Sequence, residues 1–273
     1  MPNSRWFFLA LVWSLFATDP SLGQTLNCLG SSDNPAAEEQ INQGVEAYKN
    51  AKYAEAISLF QKATDLAPCM TAARAYLATA QAQNVVPALS TPDNLETADQ
   101  AIANFQLVLA QNPHDVNSLK QVAAVYFNTK RLDDAREWQK KVLMEDPRVP
   151  EAAYTIGVID WTEVHLNTLN ALKTVGLEDD GEGNSQAPPE VLAAIKAQNT
   201  DLIAEAMQYL TQAIADHPNY ADAMVYLNLV YRRKADTDYD NPAVRDEDVA
   251  KATEWNRKSV AARETKPPVR TSP

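Results

Sequence analysis

The sequence predicts an all-α solenoid of about five helix–turn–helix units. Three observations predict it. Pro68, Pro113, Pro147 and Pro218 each have an alanine twelve residues earlier: Ala56, Ala101, Ala135 and Ala206. Ten residues after these prolines come Ala78, Ala123, Gly157 and Asn228, in the place that Gly44 holds in the first unit. The distances between the two small-residue positions vary while the spacing to each proline does not, which marks one supersecondary unit repeated.

The unit reads as helix A, turn, helix B, proline. In the first copy, Asn42 to Pro68, Gly44 stands where helix B crosses helix A, and Ala56 and Ala63 stand on helix B at that crossing. Small side chains let two antiparallel helices approach to about 8–10 Å. Tyr53, Ile57, Phe60 and Leu66 fill the seam and the face of the next copy. Pro68 cannot continue helix B, because it lacks the N–H and its φ is fixed. The third copy, Ser118 to Pro147, places Ala123, Tyr126, Leu132 and Ala135 equivalently.

These residues resemble the tetratricopeptide repeat (TPR) family over about Ala37 to Ala261. The resemblance implies a right-handed solenoid that binds peptides or helices on a concave face lined by the A helices. The expected repeats are 37–70, 71–115, 116–149, 150–220 and 221–264, after an N-terminal segment over 24–36 and before a disordered tail over 265–273. The fifth copy is degraded, with Asn228 at the small position and no proline twelve residues after Ala252.

Helix A's small residue and helix B's alanine are twelve apart in copies one and three, but 23, 49 and 24 apart in copies two, four and five. All the extra residues therefore fall between helices A and B, on one face of the array. That face is a candidate for function, or simply a place where loops are tolerated, since loop length costs entropy only slowly. In copy four, Ala153–Val175 and Pro189–Ala215 read as long helices of a protruding hairpin. The Glu178–Gly183 run between them, acidic and glycine-containing, reads as a mobile loop.

Arg5, the twelve-residue apolar run Trp6–Ala17 and Ser21-Leu22-Gly23 predict a signal peptide over 1–23, too short to span a bilayer. Cleavage after Gly23 makes the mature chain periplasmic or extracellular, without membrane insertion. Export favours pairing the two cysteines, Cys28 with Cys69, which pins the N-terminal segment over the first repeat. The net charge of −12 argues against nucleic acid as a partner.

No catalytic constellation or cofactor motif stands out, so the chain reads as non-enzymatic. His114 and His217 flank repeat prolines, and His165 lies four residues after Trp161. Asp236, Asp238, Asp240 and Glu247 hold positions 1, 3, 5 and 12 of a calcium loop. Asn241 replaces its glycine and Pro242 follows, so the site is a weak metal candidate beside a solvated acidic turn.

The stripe that the resemblance assigns to the concave face holds Ile41, Val45 and Tyr48 in copy one, and Lys120, Ala124, Phe127 and Asn128 in copy three. It continues with Tyr154, Val158 and Trp161 in copy four and Val225, Leu229, Arg232 and Arg233 in copy five. Ile41 and Val45 replace the first residues of the family's carboxylate clamp. The groove is instead apolar and aromatic with a basic end, and Tyr48, Lys120, Phe127, Tyr154, Trp161, Arg232 and Arg233 are the candidate partner-binding residues. The expected function is a protein-interaction scaffold or assembly factor of the cell envelope. The alternatives are a self-associating structural array and a calcium-regulated module.

Overall fold

A computed structural model describes residues 34–264. These residues form ten α-helices: α1 (Pro35–Lys49), α2 (Tyr53–Leu66), α3 (Thr71–Asn84), α4 (Pro92–Gln111), α5 (Val116–Asn128), α6 (Leu132–Glu145), α7 (Pro150–Lys173), α8 (Pro189–Asp216), α9 (Ala221–Thr237) and α10 (Pro242–Glu264). They pack as consecutive antiparallel pairs. Each even-numbered helix from α2 to α8 also packs on the odd-numbered helix that follows, while α1 touches α3, α3 touches α5 and α7 touches α9. The odd-numbered helices thus form the inner layer.

The prolines end the even-numbered helices in one way. Ala67, Asn112, Asp146 and His217 are the C-caps before Pro68, Pro113, Pro147 and Pro218, each with φ from −133 to −137° and ψ from 75 to 98°. A residue before proline is pushed out of the helical region by the ring's Cδ, so the four turns share one geometry. Asn34 closes the first pair: its Oδ1 accepts from the amides of Ala36 and Ala37, and its Nδ2 donates to the Leu66 carbonyl at 2.9 Å.

Close crossing explains the small residues. Ala56, Ala101, Ala135, Ala206 and Ala252 are all fully buried. A Cβ on Gly44 would stand 2.6 Å from the Phe60 ring, and one on Gly157 would stand 2.5 Å from Leu210 Cγ. The short turns of copies one and three each use a left-handed residue, Ala51 (φ 57°) and Lys130 (φ 62°). There Lys52 N donates to Ala47 O and Arg131 N to Tyr126 O, satisfying carbonyls at the helix ends.

Much of the inserted chain is helix rather than loop. In copy two, α4 starts early and Asn94 holds residues 85–91: Asn94 Nδ2 donates to the Val86 and Leu89 carbonyls, and its Oδ1 accepts from Val86 N. Ala88 N then reaches Asn128 O of copy three at 2.7 Å. In copy four, α7 and α8 form the long hairpin, joined by residues 174–188. Pro189 and Pro242 start α8 and α10, where a missing N–H costs nothing. Among the described residues the polar helix α10 is the last of the array.

The expected signal peptide and residues 265–273 lie outside the described residues, as does Cys28. Cys69, in the α2–α3 turn, is not a free thiol. Among the described residues no helix is long and apolar enough to cross a membrane.

Candidate functional site

Two features occupy the inner layer where copies four and five meet. The first is a run of aromatic rings. Tyr154 of α7 lies 5.0 Å from Tyr220 at the start of α9 and 5.6 Å, edge-on, from Tyr226. Tyr226 also meets Trp161 edge-on at 5.2 Å, and Trp161 stacks on His165 one turn later at 5.0 Å. His217 tilts against Tyr220 at 5.3 Å. The four aromatic residues and His165 are half-buried, so each keeps part of its ring at the surface.

Burial, then the neighbouring Tyr226, Asp222 and Tyr220, holds the Tyr154 hydroxyl far above the ordinary phenol value. Burial, then the carboxylates of Glu151 and Asp222, pushes Tyr220 up to about 12. Both rings stay neutral at physiological pH and sit beside fixed negative charge. Burial and the nearby Arg233 lower His165, keeping its ring neutral as well. The surface therefore offers partly exposed, uncharged aromatic rings with carboxylates at one rim. Such a surface suits apolar, proline or cationic side chains.

The second feature corrects the expectation for the basic end. Arg233 is only 3% exposed. Its Nη2 donates to Asp179 Oδ1 at 2.6 Å, and its Nη1 faces the fully buried Asp236 at 3.2 Å. Asn184 Nδ2 joins Asp179 Oδ1 (3.1 Å) to Asp236 Oδ1 (2.8 Å). Arg232 Nη1 donates to Gly181 O at 3.0 Å. The acidic run expected to be a mobile loop is thus a strap laid over the end of α9, and the strap already occupies Arg232 and Arg233. The physical reason is charge: α9 presents two adjacent guanidinium groups and a buried carboxylate, and the insertion supplies the partners that their burial requires.

The calcium expectation is corrected by the same geometry. Asp236 belongs to α9 and faces Arg233, Asp238 pairs with Lys234 at 2.5 Å, Asp240 with Lys196 at 3.3 Å and Glu247 with Lys251 at 2.7 Å. Four carboxylates with four different resident cations do not converge on one ion. Among the described residues no three metal-ligating side chains cluster.

Tyr154 and Trp161 of the sequence-derived stripe share one cluster. Tyr48 of α1 instead packs edge-on against Tyr53 at 5.4 Å, the exposed Lys120 lies on α5, and Phe127 lies near Lys130. Sequence reasoning missed Tyr220 and Tyr226. Tyr226 sits one residue off the stripe through Val225 and Leu229, and Tyr220 precedes α9. It also missed the clamp between copies three and four. There Arg136 of α6 donates to the fully buried Asp160 of α7 and to Glu163, each at 2.6 Å, and Lys140 reaches Glu205 of α8 at 2.9 Å. Burial pushes Asp160 up to about 7 against the pull of Arg136. Arg136 and Lys140 are one turn apart on α6, the only hint the sequence offers.

Comparison with known proteins agrees with the architecture. Residues 96–156 match the family model of the tetratricopeptide repeat. Among solved structures, MamA superposes with a TM-score of 0.55 at 12% identity, covering 87% of this chain and 97% of that one. A MamA chain from Desulfovibrio magneticus RS-1 gives 0.53 at 14% identity, with coverages of 82% and 97%. YrrB, described as a TPR protein with an unusual peptide-binding site, gives 0.51 at 14% identity, with coverages of 85% and 93%. No curated protein matches the sequence. The fold is an all-α solenoid of the tetratricopeptide type, and residues 96–156 carry the family match. At these identities the likeness is one of fold.

Proposed function

We propose that this chain is a non-enzymatic scaffold that holds a peptide or helix of a partner protein on the inner layer formed by α7 and α9. The observation that carries this reading is the half-buried aromatic run Tyr154–Tyr226–Trp161–His165, flanked by Tyr220. Aromatic side chains with one face open are common anchors of protein recognition, because they bury large area at small entropic cost. YrrB, of the same fold, has a peptide-binding site by its own description, and that supports the reading. Arg232 and Arg233 serve the strap and not the partner. The address proposed with this function is the cell envelope, on the strength of residues 1–23.

The test is crosslinking in cells from a photoreactive residue at Trp161, with an equivalent probe at the exposed Leu107 of α4 as control. One dominant foreign protein from Trp161 and not from Leu107 supports the reading. Equal capture from both, or crosslinks only within the chain, contradicts it.

A self-associating array is the second reading. It is favoured by Leu166, Leu169 and Val175, which stand 52%, 37% and 41% exposed toward the tip of the α7–α8 hairpin. Light scattering of the mature protein separates the two: a monomer excludes this second reading.

A further inference from the structure

The array meets many of its partly exposed rings with cations of its own. Arg131 lies 4.8 Å from the Tyr126 ring, Lys141 3.7 Å from Trp138 and Lys258 4.1 Å from Trp255. The run on α7 and α9 is different. Among the described residues no lysine or arginine is seated over Tyr154, Trp161, Tyr220 or Tyr226. The charges that act on Tyr154 and Tyr220 are instead the carboxylates of Asp222 and Glu151.

Those two carboxylates stand in the first turns of α9 and α7, and both are exposed. Asp222 also takes Arg263 of α10 at 3.1 Å, but both side chains are well exposed, and such a pair is weak and open to exchange. Neutral rings between carboxylates attract a cation twice, through the ring quadrupoles and through charge. The other end of the run has the opposite bias. There the charge felt most by His165 is the guanidinium of Arg233, and His165 stacks on Trp161. A cation is favoured at the tyrosine end, and an uncharged side chain at the Trp161 end. Tyr154 and Trp161 are about 10 Å apart along α7.

We propose that the groove takes a partner segment carrying a lysine or arginine about 10 Å from a large apolar side chain, a spacing set by the rise of α7. The cation lies among Tyr154, Tyr220 and Tyr226 with Glu151 and Asp222, and the apolar side chain lies against Trp161 and His165. That spacing corresponds to about three residues of an extended peptide or about two turns of a helix. Acidic segments are repelled by the same carboxylates. This rests on the groove reading above and adds the chemistry of the partner.

The test selects binders of the full chain from a library of short random peptides. Peptides that bind the natural chain and not the Trp161→Ala, Tyr226→Ala chain are groove binders. They are expected to share a lysine or arginine and an apolar residue at one of the two spacings. Replacing that cation by glutamine should weaken binding about ten-fold. Neutralising the rim with Glu151→Gln and Asp222→Asn, both at exposed positions, should weaken binding of the basic peptide about five-fold. The rim change should leave the affinity of the glutamine peptide unaltered, because the two substitutions act on one contact. Groove binders without a shared cation, or with an affinity indifferent to the rim, overturn the proposal and leave the groove reading standing. If no peptide depends on Trp161 and Tyr226, the groove reading fails and the proposal fails with it.

Discussion

Gly157 is a position where one methyl group decides the packing of a whole repeat. Its missing Cβ would lie 2.5 Å from Cγ and 2.8 Å from Cδ2 of Leu210, which is itself fully buried and cannot swing into solvent. Alanine in a helix gains about 1 kcal/mol over glycine, whereas overpacking a core costs about 1–3 kcal/mol. Gly157→Ala is therefore expected to destabilise the chain, by up to about 2 kcal/mol in urea denaturation.

Asp236 makes a pH prediction of opposite sense to the usual surface carboxylate. Burial pushes it up to about 7, against the pull of Arg233 and Asn184. The native state therefore holds a proton that the unfolded chain has released. The stability it contributes is fully present below about pH 4 and is lost as pH rises through about 7. Asp179 runs the other way. Although half-buried, it is held below its ordinary value by Arg233, so its contribution is lost on acidification. Between about pH 5 and pH 7 the natural chain loses this contribution from Asp236 and from Asp160, which burial also raises to about 7, so the comparison of urea midpoints needs the Asp236→Asn chain beside it. Asp236→Asn should fall less between these points than the natural chain, and an equal fall would show that Asp236 is ionised throughout.

At the scale of elements, the strap over 174–188 has its anchor at Gly183. With φ at +101°, a side chain there would put Cβ 2.6 Å from Arg245 Cδ and 3.2 Å from the Ala235 carbonyl. Gly183→Ala is expected to free the strap, at a cost of about 1–3 kcal/mol. Hydrogen exchange should then quicken over 178–187 while α2 to α6 keep their protection. Gly176→Ala, at φ +71° with nothing within 4 Å, is the control and costs about 1 kcal/mol of backbone strain alone.

The sequence made some of these elements plain and hid others, for physical reasons. Small residues and prolines at fixed spacing expose the crossings and turns, because a close helix approach and a pre-proline C-cap each tolerate few residue types. Pro189 marks the start of α8 because a missing N–H costs nothing in a first turn. The strap was hidden because Glu178–Asn184 carries every local mark of a solvated loop, and its partners Arg233 and Asp236 lie some fifty residues on (54 from Asp179, 52 from Asn184). Tyr154 and Trp161 were legible from helical spacing on one helix. Tyr220 and Tyr226 join them only through the packing of α9 on α7.

On the scale of the whole molecule, each repeat touches mainly its neighbours, so stability is close to a sum of repeat and interface contributions. Two polar clamps reinforce the interfaces of copy four: Arg136 with Asp160 and Glu163 toward copy three, and Arg233 with Asp179 and Asp236 toward copy five. Copy four is thereby held from both sides, and its helix α7 carries the aromatic anchors on the inner layer. Breaking a buried pair by removing one partner costs about 3–5 kcal/mol. Arg136→Ala should therefore separate the unfolding of copies one to three from that of copies four and five, seen as two urea transitions in place of one.

The central claim is that this inner layer is where a partner is held, and affinity tests it most directly. With the protein captured from Trp161 in hand, its affinity would be measured for the natural chain, for Trp161→Ala with Tyr226→Ala, and for Leu107→Ala on α4. Losing aromatic anchors of about 2 kcal/mol or more should weaken binding at least about thirty-fold, with the α4 variant unchanged. Equal affinity for all three chains would contradict the claim and place recognition elsewhere on the solenoid.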